Sequence, residues 1–236
     1  MRQTISMSGG NPIYAKGTGS STQLTATVNG TVGNDAVAWT SGNTNIAKVS
    51  GGKVTGVGAG TVTITATSNG VSTSKSIQVK EPTIKLDRET ANIYPPATKT
   101  VTFTVTVNGV QGNSGVTWTS GNTKVATVSN GKVTAVSKGT ATITAKANGK
   151  LAKAKVTVKD PYANVSPTSG TIKIGKTLQL TTNYAPASTG TPSYSSSNKK
   201  VATVDSKGVV KGVKAGTATI TVKVNGVTAK AELTVK

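Results

Sequence analysis

One segment occurs three times in this chain, and that recurrence limits the fold more than any other feature. It runs Ala38-Trp39-Thr40-Ser41-Gly42-Asn43-Thr44-Asn45-Ile46-Ala47-Lys48-Val49 in the first copy. It returns as Thr117-Trp118-Thr119-Ser120-Gly121-Asn122-Thr123-Lys124-Val125-Ala126-Thr127-Val128, then as Ser193-Tyr194-Ser195-Ser196-Ser197-Asn198-Lys199-Lys200-Val201-Ala202-Thr203-Val204. After each come a turn, a short Val-rich stretch, a glycine and a Thr-alternating run: Gly60–Ala66, Gly139–Ala145 and Gly216–Val222. The spacing is 79 residues from Trp39 to Trp118 and 76 from Trp118 to Tyr194. That period is too long for a solenoid repeat of roughly 20–50 residues. It suits an independent domain of about seven short strands.

The third copy shows how one unit reads. Thr171–Ile174 alternates polar and apolar residues, and Leu178, Leu180 and Thr182 alternate on one face. Tyr184 to Pro192 reads as a loop, Tyr194 opens a strand, and Asp205-Ser206-Lys207-Gly208 is a turn signal. Val209–Val213 is a short strand; Ala218, Ile220, Val222 and Val224 then alternate with Thr217, Thr219, Thr221 and Lys223. Asn225-Gly226 predicts a tight hairpin into Val227–Val235, as do Asn69-Gly70 and Asn148-Gly149 in the other copies, because both central positions need φ > 0. Period-2 alternation bounded by turn residues indicates sheets, and no helical stretch stands out. The expectation is therefore all-β: three tandem β-sandwiches in an elongated array. Lys80-Glu81-Pro82 and Lys159-Asp160-Pro161 place the boundaries at 1–80, 81–160 and 161–236, since proline cannot donate to a ladder. Residues 1 to about 20 depart from the repeat and are the candidate attachment segment.

Large side chains are scarce: two Trp, one Phe and five Tyr in 236 residues. Each core must then be built from Val, Ile, Leu, Ala and Thr methyls. Trp39, Trp118 and Tyr194, at equivalent positions, are the expected structural core plugs; the alternative is a ligand-binding platform. Gly60, Gly139 and Gly216 are expected where a side chain would clash. The Thr rows are expected to face solvent, with a sugar-recognising face as the alternative.

The pattern Val/Ala-Trp-Thr-Ser-x-Asn-x-x-Val-Ala-x-Val, then Gly-Lys-Val-Thr-x-Val, then Gly-Thr-Ala-Thr-Ile-Thr-Ala, resembles the bacterial immunoglobulin-like domain, group 2. The resemblance covers nearly the whole chain in three copies, with Tyr194 in place of the Trp. It implies that each copy is an immunoglobulin-like β-sandwich without a disulfide. It also implies the settings in which such domains occur: intimin- and invasin-type adhesins, and the head decoration, head-fibre and tail proteins of phage virions. The family carries no catalytic motif.

The composition agrees on chemistry. The chain has no His and no Cys, which removes the commonest general base, the commonest metal ligand and thiolate nucleophiles. Asp87 and Glu89 are the nearest approach to a Ca²⁺ site, which wants six to eight oxygens. No catalytic residue, metal site or cofactor is expected, and the chain is read as non-enzymatic. The binding residues are unknown. Net charge is +20, from 27 basic and 7 acidic residues, and rises along the copies as +5, +7 and +8. The bases are Lys apart from Arg2 and Arg88, without interleaved aromatics, so no specific nucleic-acid partner is expected. A Lys surface blocks edge-to-edge strand pairing and aids solubility; it also attracts acidic surfaces at long range.

No stretch approaches the roughly 20 apolar residues of a membrane helix, and residues 1–10 lack an apolar signal core. The expected role is a virion component assembled in the host cytoplasm, contacting capsid or tail proteins, with homo-oligomers allowed. The alternatives are a stalk of a bacterial cell-surface adhesin, or a basic module binding acidic glycans or wall polymers.

Overall fold

The computed structural model describes residues 3–29, 31–32 and 36–236, the side chains of Thr31 and Val32 excepted. Arg2 and Asp35 thus lie outside the described residues. Every regular element among the described residues is a β-strand. No described helix is long and apolar enough to cross a membrane.

The strands form because small β-branched residues alternate with polar ones, which suits a half-buried pleated surface. In Gly60–Ser68 the inner row is Val62, Ile64, Ala66 and Ser68, all buried, while Thr61 and Thr63 face out. Its partner Val71–Lys80 runs back antiparallel from Ser68↔Val71 to Gly60↔Val79. The turn between them is Asn69 (φ 47°) and Gly70 (φ 80°), as the Asn-Gly pair predicts. Gly216–Val224 and Val227–Val235 repeat this pairing around Asn225 (φ 53°) and Gly226 (φ 79°).

The chain packs as two compact units. The first comprises Met1–Glu89, Phe103–Thr119 and Thr144–Lys153; the second comprises Thr90–Thr102, Ser120–Ile143 and Ala154–Lys236. The division runs through the middle copy.

The first unit holds the whole first copy. One sheet orders Ile13–Tyr14, Val71–Lys80, Gly60–Ser68 and Ala38–Ser41. The other orders Ile5–Gly9, Ser21–Val28, Lys53–Gly56 and Ala47–Ser50, with Thr31–Val32 beside Ser21–Val28. Leu24, Val54, Ile13, Val62, Ile64, Ile77 and Val79 form its core. Burial of each Ile or Leu contributes about 1.5–3 kcal/mol. Contrary to the sequence expectation, residues 5–14 do not depart from the repeat. Ile5–Gly9 pairs with Leu24–Val28, Ile13–Tyr14 runs parallel to Val79–Lys80, and Ile13 is 2% exposed. The unit also contains the sheet Ile84–Leu86, Val105–Val107 and Val110–Gln111.

The second unit holds the whole third copy. Ser169–Ile172, Val227–Val235, Gly216–Val224 and Ser193–Ser196 form one sheet, and Thr177–Gln179, Val209–Gly212 and Ala202–Val204 another. Tyr162–Ser166 pairs with Thr181–Ala185, which extends the strand pattern into Tyr184, read from sequence as the start of a loop. The core comprises Ile172, Leu180, Val210, Ile220, Val222, Leu233 and Val235 with smaller residues.

Gly60, Gly139 and Gly216 take φ values of 148°, 144° and 145°. A Cβ there would come within 2.9 Å of Ile46 Cδ1, 2.8 Å of Val125 Cγ2 and 3.0 Å of Val201 Cγ2. Both backbone and space therefore demand glycine.

Candidate interaction surfaces

The recurring motif builds its own turn. Asn43, Asn122 and Asn198 accept the backbone N–H two residues on through Oδ1, at 3.0, 3.2 and 3.1 Å. Ser41 and Ser120 donate from Oγ to the carbonyls of Ala47 and Ala126 at 2.7 and 2.6 Å. The Ser-x-Asn spacing is thus an Asx-type turn that joins two strands, a structural requirement and not a catalytic one.

Trp39, Trp118 and Tyr194 are each half-buried. Trp39 packs on the first core from the strand opposite Ala66, and Tyr194 packs on the third from the strand opposite Val222. The Tyr194 hydroxyl exchanges a 2.9 Å hydrogen bond with Thr182 Oγ1. The indole N–H groups of Trp39 and Trp118 are buried without an acceptor. These aromatics lie in separate copies.

Asp87, singled out with Glu89 as the best carboxylate pair, is already engaged. Its Oδ2 takes Arg88 Nε and Nη2 at 3.0 and 2.7 Å, and its Oδ1 takes the Thr104 N–H at 3.0 Å. Burial alone would raise the Asp87 carboxyl; the Arg88 and Thr104 hydrogen bonds and Arg88's charge outweigh it and hold the group below the usual aspartate range. Arg88 lies 5.6 Å from the centroid of Phe103, a cation–π geometry. Among the described residues no group of three or more acidic side chains gathers that could hold a metal.

Within the first unit, one asparagine does what the sequence did not reveal. Asn108 Nδ2 donates to the carbonyls of Lys16 and Thr18 at 2.7 and 3.0 Å, while Oδ1 accepts the Thr83 N–H at 2.9 Å. At 6% exposure it is one of two buried polar residues in the described chain. Beside it, Lys150 pairs with Glu81 at 2.8 Å. Asn108-Gly109 is legible as a hairpin; that its amide also clasps residues of the preceding copy depends on packing no local pattern encodes.

Lys75 is a second surprise. Directly opposite buried Ile64, it occupies an inner-row position that Ala154 and Ala231 hold elsewhere. Its stem lies along the core edge and its ammonium bonds the Gly9 carbonyl, the behaviour of an amphipathic side chain that keeps its head in solvent.

The outer faces are hydroxyl-rich. Thr65–Ser74 and Thr67–Ser72 pair across strands at 3.0 and 2.8 Å. In the third copy an open groove of about 620 Å³ is lined by Thr171, Thr217, Thr219, Thr234, Ser197 and Glu232 among others.

The chain is similar to several known proteins. The chain is 54% identical over 52 residues to a 3-O-alpha-D-galactosyl-alpha-L-arabinofuranosidase of Bifidobacterium longum subsp. longum, a match covering 21% of this chain and 5% of that protein. The chain thus spans about a twentieth of that relative's length. Among solved structures it is similar to the S-layer protein rSbsC(31-844), at 21% identity over 98% of this chain and 40% of that chain, TM-score 0.37. It is also similar to the three N-terminal domains of the bacteriophage RB49 highly immunogenic outer capsid protein, at 11% identity over 99% and 98%, TM-score 0.40. A third likeness is to a C-terminal intimin fragment in complex with the intimin-binding domain of its translocated receptor, at 22% identity over 64% and 62%, TM-score 0.32. The model of the bacterial Ig-like domain (group 2) matches residues 3–79, 83–158 and 162–235. With nearly every residue accounted for in three successive matches, the chain belongs to the bacterial Ig-like domain (group 2) family and carries three tandem copies of its domain.

Proposed function

We propose that this chain is a non-enzymatic structural and adhesive protein of a phage virion, serving as head decoration, head fibre or tail-associated part. One observation carries the reading. The sandwiches commit most of their large apolar side chains to their own interiors and turn mainly hydroxyls and lysines outward. Such a surface makes many weak contacts and no reactive site. The family's occurrence in virion proteins, which the resemblance implies, supports the virion setting. The +20 charge supports it too, since it draws the chain towards acidic exteriors such as a capsid. The partners are then capsid or tail proteins, and the domain junctions follow the family matches near residues 80–82 and 159–161.

Mass spectrometry of purified virions tests this, with immunogold labelling to locate the protein on the particle. The polypeptide is expected in stoichiometric amount on the outside. Its absence from particles, together with its presence in isolated cell walls, would replace this reading with that of a bacterial surface stalk.

A further inference from the structure

The outer face of the third copy's four-stranded sheet carries a regular grid of oxygen-bearing side chains. Thr171, Thr234 and Thr217 lie side by side on three adjacent strands. Two residues along, Ser169, Glu232 and Thr219 lie side by side in the same way. Neighbouring strands are about 4.8 Å apart and alternate residues about 7 Å, so the grid measures about 10 by 7 Å. Ser197 stands beside Thr219: its Oγ accepts the Thr219 N–H at 2.8 Å, and its own N–H donates to the Thr219 carbonyl at 2.9 Å. These side chains line the open groove of about 620 Å³.

Two of them are particular to the third copy. Glu232 takes the place of Ser76, opposite Thr63, in the first copy and of Lys155, beside Thr90, in the second. Ser197 replaces Gly42 and Gly121, which make the same backbone bonds to Thr63 and Thr142 but offer no hydroxyl. The face is open to solvent in the other copies as well. Thr61, Thr63 and Ser76 in the first, and Thr90, Thr142 and Lys155 in the second, are exposed where the chain runs on into another copy. Exposure thus belongs to the side of the sandwich, and the third copy adds a carboxylate among the hydroxyls. The backbone N–H of Glu232 donates to Thr168 at 2.8 Å, and among the described residues its carboxylate has no ion-pair partner.

We propose that this groove binds a neutral glycan, with two adjacent sugar hydroxyls on Glu232. An ionised carboxylate only accepts hydrogen bonds and offers two oxygens, which suits a pair of neighbouring hydroxyl donors. Each Thr or Ser hydroxyl both donates and accepts, matching the remaining hydroxyls and ether oxygens of a sugar. The long side of the grid, about 10 Å, accommodates two linked pyranose rings. A metal ion fits poorly, because Glu232 is the one carboxylate lining the groove and Ca²⁺ wants several. An acidic sugar would set its anion against Glu232; Lys230, next in the row and opposite Thr221, lies outside the grid. No aromatic ring lines the groove for a sugar to stack on, so affinity should be about millimolar.

The site rests on the adhesive part of the role proposed above and makes no use of the virion setting. Its assay needs only the purified chain and soluble sugars, so either can fail while the other stands. Amide NMR spectra of the full chain are recorded during titration with lactose, cellobiose and mannobiose, and with digalacturonate for comparison. At least one neutral disaccharide should give saturable shifts centred on Ser169, Ser197, Thr219 and Glu232. Glu232→Gln should weaken that binding about tenfold and Ser197→Gly about threefold. Ser76→Ala, at the matching place in the first copy, should leave it unchanged. No saturable shift with any neutral disaccharide, or binding that Glu232→Gln leaves intact, would overturn the site. Tighter binding of digalacturonate through the same residues would overturn the neutral glycan.

Discussion

Asn108 holds Lys16 by its backbone: the amide nitrogen lies 2.7 Å from the Lys16 carbonyl oxygen, and the same side chain secures Thr83 through its other end. Asn29, at the matching position of the first copy, makes the same bonds to Thr4 but is exposed. Asn108→Ala should therefore cost about 1–3 kcal/mol, because it strands partly buried partners, whereas Asn29→Ala should cost about half as much or less. Chemical denaturation gives the difference. Hydrogen exchange should show residues 14–19 losing protection only in the Asn108 variant.

Gly139→Ala and Gly216→Ala each set a Cβ against a valine on a backbone conformation that L-residues avoid. Each should destabilise by about 1–3 kcal/mol. Gly149→Ala, a left-handed position with nothing within 4 Å of the added Cβ, should cost less, about 1 kcal/mol. Thermal melts of the three variants rank them. Equal losses would show that conformation alone, without the valine contact, sets the requirement.

Asp87 makes stability depend on acid. Its folded-state pKa lies below the ordinary 3.8, so its contribution is complete above that value. The contribution fades as pH falls through 3.8 and is gone once pH passes below the folded pKa. Asp87→Asn keeps the shape and loses the charge, and should cost about 1 kcal/mol at neutral pH. Unfolding free energies measured from pH 7 to pH 2 should converge for the two proteins at the acid end. A constant gap would show that the carboxylate charge is irrelevant.

Tyr194 and Trp39 occupy equivalent places with different polar accounts. Tyr194→Phe removes the Thr182 bond and should cost about 0.5–1.5 kcal/mol. A double-mutant cycle with Thr182→Val should recover most of that as coupling. Trp39→Phe removes no hydrogen bond, since its indole N–H has no acceptor, and its cost should come from lost packing alone.

What the sequence conveyed was whatever is local. The Asn-Gly hairpins, the Ser-x-Asn turns and the obligate glycines each depend on a few adjacent residues, and they recur three times. Ile5–Gly9 escaped notice because Ile5-Ser6-Met7-Ser8-Gly9 is too short and polar to announce a strand until Leu24–Val28 supplies the partner. Lys75 breaks the alternation yet sits in the inner row, because a long stem can cover apolar surface while its head escapes. The clasp at Asn108 required distant segments to be brought together, and residue type alone did not mark it.

In every copy an early strand lies parallel to the last one: Ile13–Tyr14 against Val79–Lys80, Thr90–Ile93 against Lys155–Val158, and Ser169–Ile172 against Glu232–Val235. When the two ends of such a domain are pulled apart, these strands slide past each other, and their slanted hydrogen bonds are strained all at once. A hairpin opened from its mouth would instead lose its bonds one by one. Each sandwich is thus closed by a fastening that resists tension along the chain.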